Sequence, residues 1–283
     1  MESIDRLSSM LERFRVHAHL FHSGALCGLT TLDAKPGRAF LHLLKRGNMV
    51  VSHRSADGTP VRVALSEPTL LFYPRAIEHA FENPPVDGSD LVCATLNFEG
   101  GSQHPLVAAL PPVVVLPLDR VDGLAQTLDL LFAEAARVRC GHRLLADRLF
   151  EVLLLQLLRW LLDHPHEVGL QEGLLAGLSH PRLARVLTAV HEHPEGPWTL
   201  TSMAEIAGMS RSAFAATFHE VIGSTPVAYL QRWRISIAKS LLKSGLSIKA
   251  TSHQLGFSSA SALSRSFVQT VGVSPRAWLQ SCD

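Results

Sequence analysis

The pattern of apolar and polar positions repeats itself in the last third of the chain. Between Trp198 and Leu279, two segments carry matching residues 49 positions apart, such as Phe218 with Phe267 and Pro226 with Pro275. A repeat at fixed spacing indicates that one structural unit is present twice. The chain therefore ends in a duplicated helical unit, and the second copy carries one extra residue just after its turn.

Each copy has the pattern of a helix-turn-helix. A short helix with an apolar face is followed by Gly208 or Gly256, and glycine permits a sharp turn because it takes positive φ without steric cost. A serine, Ser210 or Ser258, then follows where it could cap the next helix. In that helix two large apolar side chains lie four residues apart and predict one buried face.

The opposite face of each second helix carries small and polar residues, which let a helix lie deep in a major groove. Arginine and glutamine at such positions can read the edges of bases. The predicted DNA-binding residues are Arg211, Ser212, Ala215 and His219 in the first copy, and Ser259, Ser261, Ser264, Arg265 and Gln269 in the second.

The stretch between the two copies, PVAYLQRWRISIAKSLLKSG, reads as a single helix that would hold two DNA readers at a fixed separation. With this helix, residues 180–283 resemble the AraC/XylS family of bacterial transcription regulators. The resemblance implies a homodimer that binds double-stranded DNA and RNA polymerase. Activation is the role it suggests, and repression is left open. The sequence departs from the family at Thr251-Ser252, where Ile-Ala is usual, and this predicts looser packing of the second copy.

Charge is nearly balanced over the whole chain, with 26 Lys and Arg against 25 Asp and Glu. It is unevenly distributed, because ten basic residues stand against five acidic ones from Leu178 onward. This asymmetry favours a phosphate-binding surface in the C-terminal part. The candidate phosphate contacts are Arg232, Arg234, Lys239, Lys243, Lys249 and Arg276.

The N-terminal part, from His17 to about Leu116, has short apolar runs separated by Gly, Pro, Asp and Asn. This alternation of short apolar runs and turn residues predicts a small antiparallel β-barrel. The segment EPTLLFYPRAIEHAF resembles the second motif of the cupin fold, with Glu67 where that family usually has Gly. His42 occupies the position of a first-motif histidine, whereas the usual second His and the Glu are missing. The resemblance implies a cupin-like sensor.

Three kinds of stimulus remain open for such a barrel. Cys27 and Cys93 could form a switchable disulfide, and with His42 and His79 they make up the predicted effector or redox site. Imidazole and thiolate ligands together favour Zn. An organic ligand in the barrel is the third alternative. The predicted metal ligands are His22, His42, His79 and Cys93.

Residues 119–165 read as two helices broken at Gly141. The second helix is apolar on more than one face, so it requires two partners. We predict that Leu149–Leu162 forms a dimer interface; burial within one chain is the alternative. The predicted domains are thus a cupin-like sensor (1–116), a helical dimerisation segment with its linker (117–177) and a DNA-binding domain (178–283).

The complete prediction is a two-domain α+β protein with an N-terminal antiparallel barrel and an all-α C-terminal double helix-turn-helix. The N-terminus lacks the apolar region of a signal peptide and no CxxC pair occurs, so we expect a cytoplasmic protein. The function predicted is sequence-specific transcription regulation. The alternative is a cupin-type metalloenzyme, which the missing motif residues and the absence of a Gly-rich phosphate loop, a nucleophile elbow or an HExxH motif make unfavourable.

Overall fold

The predicted short strands and helices are present in the computed structural model, which describes residues 4–86 and 88–281 and only the backbone of Ser102. The described strands are β1 (Val16–Leu26), β2 (Gly28–Leu32), β3 (Arg38–Arg46), β4 (Met49–Arg54), β5 (Pro60–Leu65), β6 (Thr69–Tyr73), β7 (His79–Asn83), β8 (Ser89–Phe98) and β9 (Val114–Pro117). The described α-helices are α1 (Ser8–Arg13), α2 (Pro105–Ala109), α3 (Leu124–Ala135), α4 (His142–Asp163), α5 (Leu174–Ser179), α6 (Leu183–Glu192), α7 (Leu200–Ala207), α8 (Arg211–Ile222), α9 (Pro226–Lys243), α10 (Ile248–Gln254), α11 (Ala260–Val271) and α12 (Pro275–Gln280).

The strands form two antiparallel sheets. One has the order β1-β8-β3-β6-β9 and the other β2-β7-β4-β5. They share one apolar core, to which the first sheet contributes Phe40, Tyr73 and Cys93 and the second Val51 and Phe81. The antiparallel class is as predicted, but the sheets do not close into the predicted barrel, since β1 and β9 remain edges of their sheet.

Helix α4 covers the edge strand β1. The Asp147 carboxylate accepts a hydrogen bond of 2.7 Å from the backbone N–H of Leu20, and Glu151 accepts one of 3.3 Å from Ala18. These two carboxylates are one helical turn apart, so they reach alternate N–H groups that no neighbouring strand satisfies. An open sheet edge is thereby closed by side chains of a helix.

Except for Leu155, the leucines predicted to form a dimer interface on α4 are buried inside the single chain. Leu154 is 2% exposed and Leu158 is fully buried, because α4 packs against both α3 and β1. Leu154 and Leu158 therefore cannot form the predicted dimer interface, because the single chain already buries them, whereas dimerisation through the exposed part of α4 stays a prediction. The apolar residues that α4 leaves exposed are Leu144, Leu145, Val152 and Leu155.

The chain divides into two units. One is Phe14–Leu170, and the other joins the described parts of Met1–Arg13 and Gln171–Asp283. The N-terminal helix α1 thus belongs to the C-terminal unit, where Arg13 donates to the carbonyls of His191 (3.2 Å) and Glu192 (3.0 Å). These acceptors lie at the end of α6, whose last carbonyls have no partner within the helix. The functional boundaries at 116 and 177 stay predictions.

Within the part of the chain that the structure describes, no helix combines the length and the apolar character that crossing a membrane requires.

Candidate functional site

The first helix-turn-helix consists of α7, a turn at Gly208 and α8. The turn glycine has φ of 62°, a conformation that favours glycine. Helix α7 starts at a capping box in which the Thr199 hydroxyl accepts from the N–H of Ser202 at 3.1 Å. Helix α8 starts at Ser210, whose hydroxyl accepts from the N–H of Ala213 at 3.3 Å. Both helix starts are therefore specified by local hydrogen bonds.

The second helix-turn-helix repeats this arrangement with α10, Gly256 (φ of 69°) and α11. The cap of α11 is Ser259, which accepts from the N–H of Ala262 at 3.1 Å. The predicted cap, Ser258, is one residue too early, because the extra residue of the second copy lies between the turn and the helix. Ser259, predicted to contact DNA, therefore also carries a structural hydrogen bond.

The predicted buried and exposed faces of both helices are confirmed. Phe214 is fully buried and Phe218 is 1% exposed on α8, and Leu263 and Phe267 are fully buried on α11. On the opposite faces, Arg211, Ser212, His219, Ser259, Ser261, Arg265 and Gln269 are exposed, and Ala215 and Ser264 are half-buried. Each unit thus presents an N-capped helix with a small, polar outer face.

Helix α9 connects the two units and begins where it was predicted, at Pro226. The Thr225 hydroxyl caps it by accepting from the N–H of Ala228 at 3.3 Å. Its 18 residues correspond to roughly 27 Å. A continuous helix of this length joins the two helix-turn-helix units.

Arg234 on α9 has a structural contact instead of the predicted phosphate contact. Its guanidinium donates to the carbonyls of Pro194 (2.6 Å) and Gly196 (2.9 Å), and it lies 5.6 Å from the ring centre of Phe257. Burial lowers the pKa of this guanidinium. Arg234 therefore holds the loop before α7 against the turn of the second helix-turn-helix.

The departure at Thr251-Ser252 lies in the buried face of α10. Thr251 is fully buried and Ser252 is 3% exposed. The Ser252 hydroxyl donates to the Lys249 carbonyl at 2.8 Å, whereas the Thr251 hydroxyl has no hydrogen-bond partner among the described residues. An unpaired buried hydroxyl costs stability.

Replacing Thr251 by valine, which has the same shape, is therefore expected to stabilise this unit by about 1 kcal/mol. Urea unfolding followed by tryptophan fluorescence measures the change. The matched control is Thr201→Val at an exposed position of α7, which should change little. A loss of stability in Thr251→Val would mean that the hydroxyl is satisfied in solution.

The sensor histidines form a hydrogen-bonded pair in the core of the N-terminal unit. Nδ1 of His79 donates to the Ile77 carbonyl at 2.8 Å, so its Nε2 can only accept from Nε2 of His42, at 2.9 Å. Burial lowers the pKa of His79 to about 4 and, with nearby His79 and His22, holds the pKa of His42 well below its ordinary value. Both rings are neutral near pH 7.

The pair is linked to a third histidine through Tyr73. The Tyr73 ring stacks on His79 with centroids 4.1 Å apart, and its hydroxyl lies 3.1 Å from Nδ1 of His53. His53 and His79 both line a cavity of about 990 Å³ at the end of the four-stranded sheet. Sequence reasoning missed His53. The signal was present in NMVVSHR, where a histidine lies next to the end of an apolar strand.

The predicted zinc ligands do not fit a metal ion. The sheet does bring His22 and His42 together, since both lie opposite Cys93. His79 has no ring nitrogen left for a metal, because both are already hydrogen-bonded. Burial raises the pKa of the Cys93 thiol, which opposes the thiolate that zinc binds. Among the described residues no group of three or more His, Cys, Asp or Glu side chains could hold a metal.

The structure also keeps the two predicted redox cysteines apart. Cys93 lies opposite His22 on β1, whereas Cys27 follows the end of that strand. At about 3.3 Å per residue their Cα atoms are roughly 15 Å apart, and a disulfide requires less than about 7 Å. Cys27 is exposed and Cys93 is buried. The direct disulfide between them is thus ruled out in this fold.

Comparison with known proteins identifies both halves of the chain. A family model described as "Cupin" matches residues 5–163, and one described as "Helix-turn-helix domain" matches residues 203–281. A "Putative AraC-like transcription regulator" of Streptomyces lividans is 29% identical over 96% of this chain and 97% of its own. The chain is an AraC-type transcription regulator with an N-terminal cupin domain.

Other transcription regulators match in part. The "HTH-type transcriptional regulator AlkR" of Acinetobacter baylyi is 34% identical over 62% of this chain and 58% of its own. A crystal structure of the DNA-binding domain of AdpA with a target DNA is 30% identical over 36% of this chain and 93% of its own, with a TM-score of 0.35. AraC-type regulators bind double-stranded DNA, and the relatives are regulators, so the metalloenzyme alternative is set aside.

Proposed function

We propose that this regulator reads a specific DNA sequence with α8 and α11 lying in successive major grooves. The observation that carries the proposal is that both helices are N-capped, buried on one face and polar on the other, and joined by one continuous helix. The proposed DNA contacts are Arg211, Ser212, Ala215, His219, Ser259, Ser261, Ser264, Arg265 and Gln269.

These residues divide by chemistry into base readers and backbone contacts. Arg211, Arg265 and Gln269 are long, exposed and able to make paired hydrogen bonds to bases. The serine hydroxyls suit phosphates near the helix starts. Arg232, Lys249 and Arg276 are exposed around these helices and add phosphate contacts without specifying sequence.

Dimerisation through α4 is the second part of the proposal. Leu145, Val152 and Leu155 follow the 3.5-residue spacing of a helix–helix seam and are exposed by 40%, 41% and 37%. Two copies of the same stripe can pack against each other about a two-fold axis. A dimer would present four helix-turn-helix units to a site of two halves.

The remaining parts of the proposal concern the effector, the effect on transcription and the cellular compartment. We propose that a small effector enters the cavity lined by His53 and His79 and changes the affinity for DNA, since this cavity of about 990 Å³ is large enough for a small organic molecule. The family suggests that bound regulator activates transcription through RNA polymerase. A regulator acting on chromosomal DNA in this way would work in the cytoplasm.

The direct test is replacement of Arg211 by alanine. Removal of a base contact should cost about 1–3 kcal/mol on a site selected from random DNA by the wild-type protein, and little on unselected DNA. Fluorescence anisotropy on both DNAs measures this. The control, Arg276→Ala, should weaken both complexes equally as a phosphate contact. An equal loss on both DNAs for Arg211→Ala would reduce it to a phosphate contact as well.

A further inference from the structure

The cavity of about 990 Å³ combines an apolar floor with polar groups around it. Ile77, Ala80 and Val113 supply apolar lining, and Arg54 and Arg75 are two of the polar residues. The volume is at the upper end of the range for pockets that take small organic molecules. The polar groups that matter for the choice of ligand are the side chains of Arg54 and Arg75.

Arg75 is held in position at the cavity. One terminal nitrogen, Nη2, donates to the carbonyls of Ala108 (3.1 Å) and Leu110 (2.9 Å). These bonds anchor one side of the guanidinium, and its remaining N–H groups have no acceptor in the described part of the chain. A guanidinium anchored in this way loses little conformational entropy when it binds an anion.

Arg54 is a second arginine in the lining of the same cavity, and it is exposed. Its Nη1 donates to the Gly58 carbonyl at 2.9 Å. Neither Arg54 nor Arg75 has a carboxylate within ion-pair distance among the described residues, in contrast to Arg62, which pairs with Glu82 at 2.7 Å. Glu78 is the one acidic side chain in the lining, and it is exposed. Positive charge therefore predominates.

His53 adds a neutral imidazole to the lining. The hydroxyl of Tyr73 lies 3.1 Å from its Nδ1. Burial lowers the pKa of His53, which keeps the ring neutral near pH 7. A neutral imidazole has one N–H donor and one acceptor nitrogen, so it contributes hydrogen bonding without adding charge to the site.

We propose that this cavity binds a small organic acid in its anionic form, with the carboxylate held by Arg75 and Arg54 and the apolar body lying on the Ile77 and Val113 side. Carboxylate and guanidinium match in charge and in paired hydrogen-bond geometry. A neutral or cationic ligand would leave the positive charge of both guanidinium groups without a counter-charge in the cavity. The inference rests on the proposed effector response, because it names the chemical class of that effector.

The test compares each acid with its neutral amide on the full-length protein. The probes are cyclohexanecarboxylate, 2-naphthoate and 4-phenylbutyrate with their three amides, and binding is measured by isothermal titration calorimetry. We expect at least one acid to bind about tenfold more tightly than its amide. Arg75→Gln should remove that preference, and Glu78→Gln should strengthen acid binding. Arg62→Gln, which changes an exposed arginine outside the cavity, is the matched control.

Because Arg75 also bonds two carbonyls, Arg54→Gln serves as a second variant if Arg75→Gln fails to fold. Equal binding of acids and amides, or no acid binding up to on the order of 10 mM, overturns the inference. Anisotropy with the selected DNA is measured on the same samples. If the wild-type protein binds the selected DNA specifically but binds acids and amides equally, only this inference is overturned. If the wild-type protein does not prefer the selected DNA to unselected DNA, the proposed function is overturned. An acid that binds without changing DNA affinity overturns the assignment as effector.

Discussion

Replacing Gly256 by alanine is expected to destabilise the DNA-binding unit by about 2–4 kcal/mol. About 1 kcal/mol comes from the left-handed backbone at φ of 69°, which alanine disfavours. The rest comes from overpacking, because an added Cβ would lie 2.9 Å from the Cα and carbonyl carbon of Glu195. Arg234 holds the carbonyls on both sides of Glu195, so this loop cannot easily move away.

The equivalent glycine of the first helix-turn-helix, Gly208, is the matched control. Gly208 has φ of 62°, but nothing lies within 4 Å of an added Cβ. Gly208→Ala should therefore cost only about 1 kcal/mol. Urea unfolding followed by tryptophan fluorescence separates the two variants, since Trp198, Trp233 and Trp278 all lie in this unit. Equal losses would show that the loop at Glu195 gives way.

Replacing Leu155 by aspartate is expected to convert the proposed dimer into a well-folded monomer. Leu155 is on the exposed stripe of α4, so the charge is solvated in the monomer and buried only in the dimer. Burial of an unpaired charge costs about 3 kcal/mol or more, which weakens the dimer more than about a hundredfold. Sedimentation velocity measures the oligomeric state.

The neighbouring Leu154 provides the contrast. It is 2% exposed within one chain, so Leu154→Asp should unfold the sensor unit instead of dissociating a dimer. Circular dichroism distinguishes unfolding from dissociation. If Leu155→Asp is a folded dimer, the interface does not lie on this face of α4. If the wild-type protein is a monomer at micromolar concentration, the dimer proposal is wrong.

The duplicated unit could be predicted from the sequence because its signals are local. The turn glycines, the hydroxyl caps and the apolar pairs four residues apart all act within about one helical turn. The structure confirms the buried faces of α8 and α11 and the start of α9 at Pro226. The cap at Ser259 was missed by one residue, since the insertion in the second copy could be aligned on either side of it.

Six strands of the sensor, β1, β3, β4, β5, β6 and β8, could also be predicted, since each coincides with a short apolar run of the sequence. Their pairing could not, because it joins residues far apart in the chain. Only the register shows that Cys93 lies opposite His22 and His42, and that Cys27 lies beyond the end of that strand. A list of candidate cysteines and histidines therefore says little about which of them meet.

The sequence by itself determined the element types, the helix-turn-helix repeat and the face that each recognition helix exposes, since these depend on spacing along the chain. Tertiary structure alone decided which of two apolar faces of α4 is covered, why Arg234 holds a loop instead of a phosphate, and where His53 joins the sensor histidines. The physical reason is that burial and hydrogen-bond pairing are set by segments distant in the chain, which only the folded packing brings together.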